Sequence, residues 1–313
     1  MPAITATAPG KTILFGEHAV VYGQPAIAVP VSAIQAKVVV EPSILSGQSV
    51  IRAKNYGKDE ILLELLPEND LVRSTVRLLK AHIGQSIPPF ILTIHSTVPI
   101  AAGLGSSASV AVAVIRGLSM FCGLKLTDDA INEIAFRSES IQHGTPSGID
   151  NSVITYARPV YFVKGDPIQT LQIKKPVHLI LADSGDRSLT KDVVHYVHEN
   201  MDREPEKHLL IFSQIGEITR HAKTAFESGD VEVLGRLMIE NHHRLQELDV
   251  SSQNLDRLVE EALRHGAYGA KMCGGGKGGF MVALCEANRQ QSIANKLKLL
   301  SVQVIESILA KEK

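Results

Sequence analysis

The chain predicts an α+β fold organised as two domains, and three observations carry that expectation. Its 313 residues exceed what one hydrophobic core comfortably serves. Strand-like and helix-like segments are mixed without the regular strand–helix–strand alternation of a doubly wound sheet. The second half is rich in segments with helical spacing, and its start near Lys174-Lys175-Pro176 marks the expected boundary. The domains are therefore expected over 1–175 and 176–313.

Taken in order, Ile4 to Ala8 reads as a short strand, followed by Pro9-Gly10-Lys11 and the apolar stretch Thr12 to Phe15. Val29 to Val40 is valine-rich with partial alternation, which predicts strand. Gly47 to Leu66 predicts two more strands around Asn55-Tyr56-Gly57. From Asp70 to Ile83, apolar residues at Leu71, Val72, Val76, Leu78, Leu79 and Ile83 fit a helix. Phe90 to His95 predicts a strand, Pro99 to Ala108 a glycine-rich turn, and Ser109 to Phe121 a helix. Thr127 before Asp128-Asp129 signals a helix start, and Gly144-Thr145-Pro146-Ser147-Gly148 breaks that helix after His143. Val153 to Val163 and Val177 to Ala182 read as strands. Helices are expected over 188–201, 206–228, 231–248, 252–265 and 288–300. Ala270 to Cys285 reads as strand, loop and strand, and Val302 to Leu309 closes the chain as a strand or strand–helix.

Composition narrows the partners. With 32 basic and 33 acidic residues the formal net charge is −1, so no global attraction to nucleic acid or anionic membrane follows. Cys122, Cys273 and Cys285 are too few and too dispersed for a disulfide framework or a zinc site. The N-terminus lacks the pattern of a signal peptide, and no apolar run approaches the roughly 20 residues of a membrane span. A cytoplasmic protein with no nucleic-acid or membrane partner is the expectation.

The chemistry is concentrated in three glycine-containing segments. Pro99-Ile-Ala-Ala-Gly-Leu-Gly-Ser-Ser-Ala108 lies between strand and helix, where bare backbone amides and the helix dipole suit a phosphate. A well-capped helix after a turn would leave the same signature. The other segments are Ala8 to Gly23, containing Gly16-Glu17-His18, and Lys271-Met-Cys-Gly-Gly-Gly-Lys-Gly-Gly279. None is a Walker loop or a dinucleotide fingerprint.

In order and spacing the three segments resemble the motifs of the GHMP kinase superfamily, over nearly the whole chain. Within it they are most similar to the mevalonate kinases, on Ala8 to Gly23 and His143-Gly-Thr-Pro-Ser-Gly-Ile-Asp-Asn151. Leu237-Met-Ile-Glu-Asn-His242 with Leu248-Asp-Val-Ser251 resembles the same family's C-terminal helix pattern. The resemblance implies an N-terminal domain like ribosomal protein S5 domain 2, a ferredoxin-like C-terminal domain, and an active site between them. It implies an ATP-dependent kinase phosphorylating the primary hydroxyl of mevalonate, with Mg2+ as cofactor. Relatives commonly dimerise, which makes a homodimer an expectation.

It also implies roles. Asp150 is the base and Lys11 its cationic partner; an adjacent ammonium favours the ionised carboxylate and stabilises charge on the transferred group. Pro99, Ala101, Ala102, Gly103, Leu104, Gly105, Ser106, Ser107 and Ala108 cradle the triphosphate, supported by Gly274, Gly275 and Gly276 with Gly278 and Gly279 beyond. Ser107 and Glu139, eleven residues before Asp150, supply oxygen ligands to Mg2+. Lys11, Glu17, His18, Asp150 and Thr190 face the substrate. Two departures from the commoner motif stand out. Cys273 is expected as a small buried filler, and Lys277, inside the glycine run, either adds charge near phosphate or points to solvent, with solvent favoured. Of His242 and His243, neighbours on one helix, one is expected packed and the other exposed. The alternatives are another GHMP kinase, of the phosphomevalonate or homoserine type, and a non-catalytic sensor on the same fold. Retention of Lys11, Asp150, Glu139 and Ser107 disfavours the sensor.

Overall fold

The computed structural model describes residues 2–44, 47–54, 57–144 and 146–310. Contacts divide the chain into two compact units: Met1–Gly10 with Ile34–Pro99 and Gly105–Ala157, and Lys11–Ala33 with Ile100–Leu104 and Arg158–Lys313. Both combine sheet with helix, as the α+β class requires. Strands β1 (Ile4–Phe15) and β2 (Ala26–Pro42) are long enough to contribute residues to each.

In the first unit β3 (Val50–Ala53), β4 (Lys58–Leu62) and β5 (Phe90–Ser96) join the later part of β2 in the order β4-β3-β5-β2, and β1 pairs with β2. β5 runs antiparallel to β2 and parallel to β3. Alternate residues Ala36, Val38 and Val40 of β2, and Phe90, Leu92 and Ile94 of β5, are buried in one core. That is the period-2 pattern of a sheet with one covered face. Helices α1 (Leu71–Ile83), α2 (Ser106–Phe121), α3 (Asp128–His143) and α4 (Ile149–Tyr156) complete the unit. Asp70 caps α1 by accepting from the amides of Val72 and Arg73, and Thr127 caps α3 by accepting from Ala130. α2 is buried around most of its circumference, which its run of Val and Ala anticipates.

The second unit pairs the start of β2 with β6 (Val160–Phe162), and β6 with β7 (Gln169–Thr170). Its main sheet is four-stranded and antiparallel in the order β11-β8-β10-β9, from β8 (Val177–Asp183), β9 (Gly269–Met272), β10 (Phe280–Cys285) and β11 (Val304–Leu309). Helices α5 (Thr190–Arg203), α6 (Pro205–Ser228), α7 (Val231–Glu247), α8 (Gln253–Arg264) and α9 (Gln290–Leu297) accompany it. Side chains from α6, α7, α8 and α9 meet one face of the sheet in a core that includes Phe212, Leu245, Leu255 and Met281.

Two segments depart from the sequence reading. β1 does not stop at Ala8 but continues through Pro9-Gly10-Lys11 to Phe15. A strand paired on one side tolerates the missing amide of a proline, and the Pro9 carbonyl accepts from Ser109 Oγ at 2.6 Å. The expected strand over 153–163 begins instead as α4, and only Val160–Phe162 is extended. The β-branched run Val153-Ile154-Thr155 suggests strand, but local hydrogen bonds and packing override that preference. Gly148 adopts the left-handed conformation, Ser147 Oγ accepts from the Ile149 amide, and Ser152 Oγ donates to Gly148 O at 2.6 Å. The turn expected at Asn55-Tyr56 lies outside the described residues.

Candidate active site

Within the second unit, β1, the segment Ile100–Leu104 and the loop between β9 and β10 converge. The Lys11 amide donates to Leu104 O at 3.0 Å. Gly103 and Gly274 face each other so closely that a Cβ on Gly103 would lie 3.8 Å from the Gly274 Cα. Gly275 packs on the start of α5, where a Cβ would meet Thr190 Cα and Cγ2 at 3.1 Å. Gly276 is tighter still: a Cβ there would fall 2.0 Å from Val250 O, so a side chain cannot be accommodated. Ala101 at φ 55° and His18 at φ 60° hold left-handed backbone without being glycine. Such conformations cost energy and persist where surrounding structure enforces them.

Glu17 and His18 are both buried, at 1 % and 6 % exposure. The Glu17 carboxylate forms an ion pair with Lys271, itself fully buried, and accepts from Asn241 Nδ2 at 3.4 Å. Lys271 Nζ also donates to Met272 O at 2.7 Å. Burial pushes the Glu17 carboxyl above its ordinary value, while the Lys271 ammonium pulls it down. His18 Nε2 lies 2.8 Å from Gly275 O. A carbonyl only accepts, so this nitrogen carries the proton. Burial lowers the His18 pKa to about 4, which leaves the ring neutral at pH 7. β9 and the glycine loop that follows it are thus tied to the Glu17-His18 corner, the strand by an ion pair from Lys271 and the loop by a hydrogen bond to Gly275.

The first unit carries the remaining candidates. Ser106 and Ser107 open α2 behind Gly105, which is left-handed. The Ser109 hydroxyl lies 2.6 Å from Pro9 O and 2.8 Å from Gly105 O, so its single proton is shared between them and sets that first turn against β1. Glu139 lies on α3 and is 5 % exposed, unlike an ordinary surface glutamate. Asp150 stands in the first turn of α4, where the helix dipole favours a carboxylate. That helix is held at both ends: Asn151 Nδ2 donates to Asn132 Oδ1 at 2.6 Å, and Arg116 donates to Thr155 O at 2.6 Å. Arg116 also donates to Thr7 O, so one guanidinium joins α4 to β1. Thr145, inside the 143–151 segment, lies outside the described residues.

Several residues of this region escaped the sequence reading, chiefly Lys271 and Asn241. Lys271 sits between apolar residues in the strand-like run before the glycines. A lysine so placed demands a buried partner, and that was the available signal. The Lys277 side chain is 36 % exposed, and its ammonium lies 2.9 Å from Asp249. Cys273 is buried as expected, and burial raises its thiol pKa to about 11. His242 is packed and His243 exposed. Among the described residues no group of three or more His, Cys, Asp or Glu could hold a metal ion.

The segments that carry the sequence resemblance are thus a glycine-rich turn at a helix start, a helix with a buried carboxylate at Glu139, and a helix opened by Asp150. The family models agree. Residues 70–158 match the GHMP kinases N-terminal domain and residues 222–300 the GHMP kinases C-terminal domain. A protein of Thermococcus gammatolerans named mevalonate kinase is 32 % identical, the alignment covering 95 % of this chain and 93 % of that one. The crystal structure of the Methanococcus jannaschii mevalonate kinase superposes with a TM-score of 0.86 at 25 % identity, covering 99 % of both chains. The L. major mevalonate kinase, crystallised in complex with R-mevalonate, gives a TM-score of 0.84 at 28 % identity, covering 98 % of this chain and 96 % of that one. The chain belongs to the GHMP kinase family.

Proposed function

We propose that this enzyme is a mevalonate kinase, transferring the γ-phosphate of ATP to the primary (C5) hydroxyl of mevalonate to give 5-phosphomevalonate and ADP, within isoprenoid precursor synthesis. The observation that carries this is the 32 % identity over 95 % of the chain to a protein of that name. Agreement of this extent covers both family domains, not one shared motif.

In this reading Asp150 accepts the proton of the C5 hydroxyl as the hydroxyl attacks the γ-phosphorus, and the bond from phosphorus to the ADP oxygen breaks. Asp150 stands in the first turn of α4. Lys11, on β1, supplies positive charge for the developing alkoxide and the transferred group. The turn from Pro99 to Ala108 binds the triphosphate through backbone amides, with Ser106 and the α2 dipole at its end. Gly274, Gly275 and Gly276 back that turn where Gly274 meets Gly103. His18 and Thr190 face mevalonate. Glu17, sealed against Lys271 and Asn241, contributes by holding the corner that presents His18.

Mg2+ accompanies ATP in this reading, and the residues fit it. Ser107 offers a hydroxyl and Glu139 a buried carboxylate from helices that pack together in one unit. Few protein oxygens suit an ion that keeps waters and phosphates as its other ligands. When bound, it would neutralise phosphate charge. No helix among the described residues is long and apolar enough to cross a membrane, and the three cysteines are free. We place the enzyme in the cytoplasm, a reducing compartment that free cysteines suit; a homodimer is carried over from the resemblance alone.

The test is ADP release with a single added acceptor. Turnover with mevalonate, and none with phosphomevalonate or homoserine, is expected. Turnover with phosphomevalonate alone would move the enzyme to another branch of the family, and ATP binding without turnover on any acceptor would favour the sensor.

A further inference from the structure

Lys277 interrupts the glycine run with a lysine at φ 55°, and Asp249, which it contacts, stands at φ 54°. Two strained residues facing each other require something to hold them. Lys277 Nζ lies 2.9 Å from Asp249 Oδ2 and 5.4 Å from the centre of the Tyr196 ring. The Tyr196 hydroxyl donates to the same Asp249 oxygen at 2.6 Å, and the Lys277 amide donates to Val250 O at 2.7 Å. The Tyr196 hydrogen bond, and after it Lys277, hold the Asp249 carboxyl below its ordinary value. The Lys277 ammonium is therefore committed to a carboxylate and an aromatic face.

Tyr196 belongs to α5, the helix that begins at Thr190. Six residues of helix separate them, about 9 Å along the axis, and a helix transmits position over that length. The start of α5 already touches the glycine loop at two points. Gly275 packs on Thr190, and Ser188 Oγ donates to Gly276 O at 2.6 Å. The Lys277–Asp249–Tyr196 group closes a third point about one and two-thirds turns further on.

We propose that Lys277, Asp249 and Tyr196 form a clasp that seats the start of α5 on the glycine loop, making Lys277 a positioning residue for mevalonate binding through Thr190. This rests on the reading of Thr190 as a substrate-side residue. Lys277 and Asp249 are 36 % and 66 % exposed at the side chain, so added salt screens the pair.

Two measurements test it. In steady-state kinetics, Lys277→Met is expected to raise KM for mevalonate by about three- to tenfold, the range a partly exposed charged contact supports, with KM for ATP within twofold. Added KCl raises the KM for mevalonate by a larger factor in the wild type than in Lys277→Met; Lys277→Arg recovers most of the loss. Lys277→Gly relieves the left-handed strain, so it is at least as heat-stable as wild type yet shows the same KM defect. An unchanged mevalonate KM in Lys277→Met or Lys277→Gly overturns the clasp. So does a rise in ATP KM instead, which would give the ammonium to phosphate. Hydrogen exchange on the substrate-free protein separates the clasp from the substrate assignment. Lys277→Met should speed exchange of the amides of 190–196 at least threefold while α7 stays unchanged. Unaltered exchange overturns the clasp even if mevalonate is the substrate; faster exchange in a chain inactive on mevalonate leaves the clasp standing and removes the substrate.

Discussion

His18 and His242 show what burial does to single side chains. Each is neutral at pH 7 because burial lowers its pKa to about 4 from an ordinary 6.5. His18 uses its ring proton on Gly275 O, while His242 Nδ1 accepts from the Met272 amide and Nε2 faces Asp256 at 3.2 Å. Below pH 6.5 the unfolded chain takes up protons that the folded chain refuses until about pH 4. Stability therefore rises with pH through that window and is complete above it. A fall from pH 7 to pH 4 is expected to cost up to about 3 kcal/mol for each histidine. Urea midpoints across that range measure it, and His242→Gln should flatten the profile. An equally steep profile in that variant would contradict the assignment. The two rings were not equally legible in the sequence. That one of the 242–243 pair would be packed follows from helix geometry, whereas the His18 bond to Gly275 joins residues 257 apart and has no local signature.

At the scale of elements, most of the helices and strands could be read from periodicity and caps. Thr127 with Asp128-Asp129 opens α3 and Gly144 ends it, both where the chain signals them. α4 was not legible, because its start depends on a left-handed Gly148 and on Asn151 reaching Asn132 of a different helix. The Glu17–Lys271 ion pair belongs here too, since it joins the end of β1 to β9, with Asn241 of α7 as third member. Removing one charge of a buried pair strands the other, typically at about 3–5 kcal/mol, while removing both can be neutral. Lys271→Met alone should therefore lower thermal stability sharply, and Glu17→Gln with Lys271→Met should restore most of it. Melting temperatures of the two singles and the double decide this. A double variant as unstable as the worse single would mean that packing of the lysine stem, not charge pairing, holds these elements together.

For the whole molecule, the motifs are spread from residue 8 to 279, and each is ambiguous alone. In the sequence the glycine turn at 103–107 reads as an anion site, and Gly16-Glu17-His18 with the 143–151 segment carries the resemblance that names the substrate. The structure adds what spacing cannot, the contact of Gly103 with Gly274 and of Gly275 with Thr190. The central claim is transfer to the primary hydroxyl of mevalonate. Its most direct measurement is the proton-coupled phosphorus NMR spectrum of the product formed from ATP and mevalonate. A phosphate on C5 is attached to a CH2 group and should appear as a triplet. A singlet, from phosphate on the tertiary C3 oxygen, or the absence of any phosphorylated mevalonate, would contradict the account.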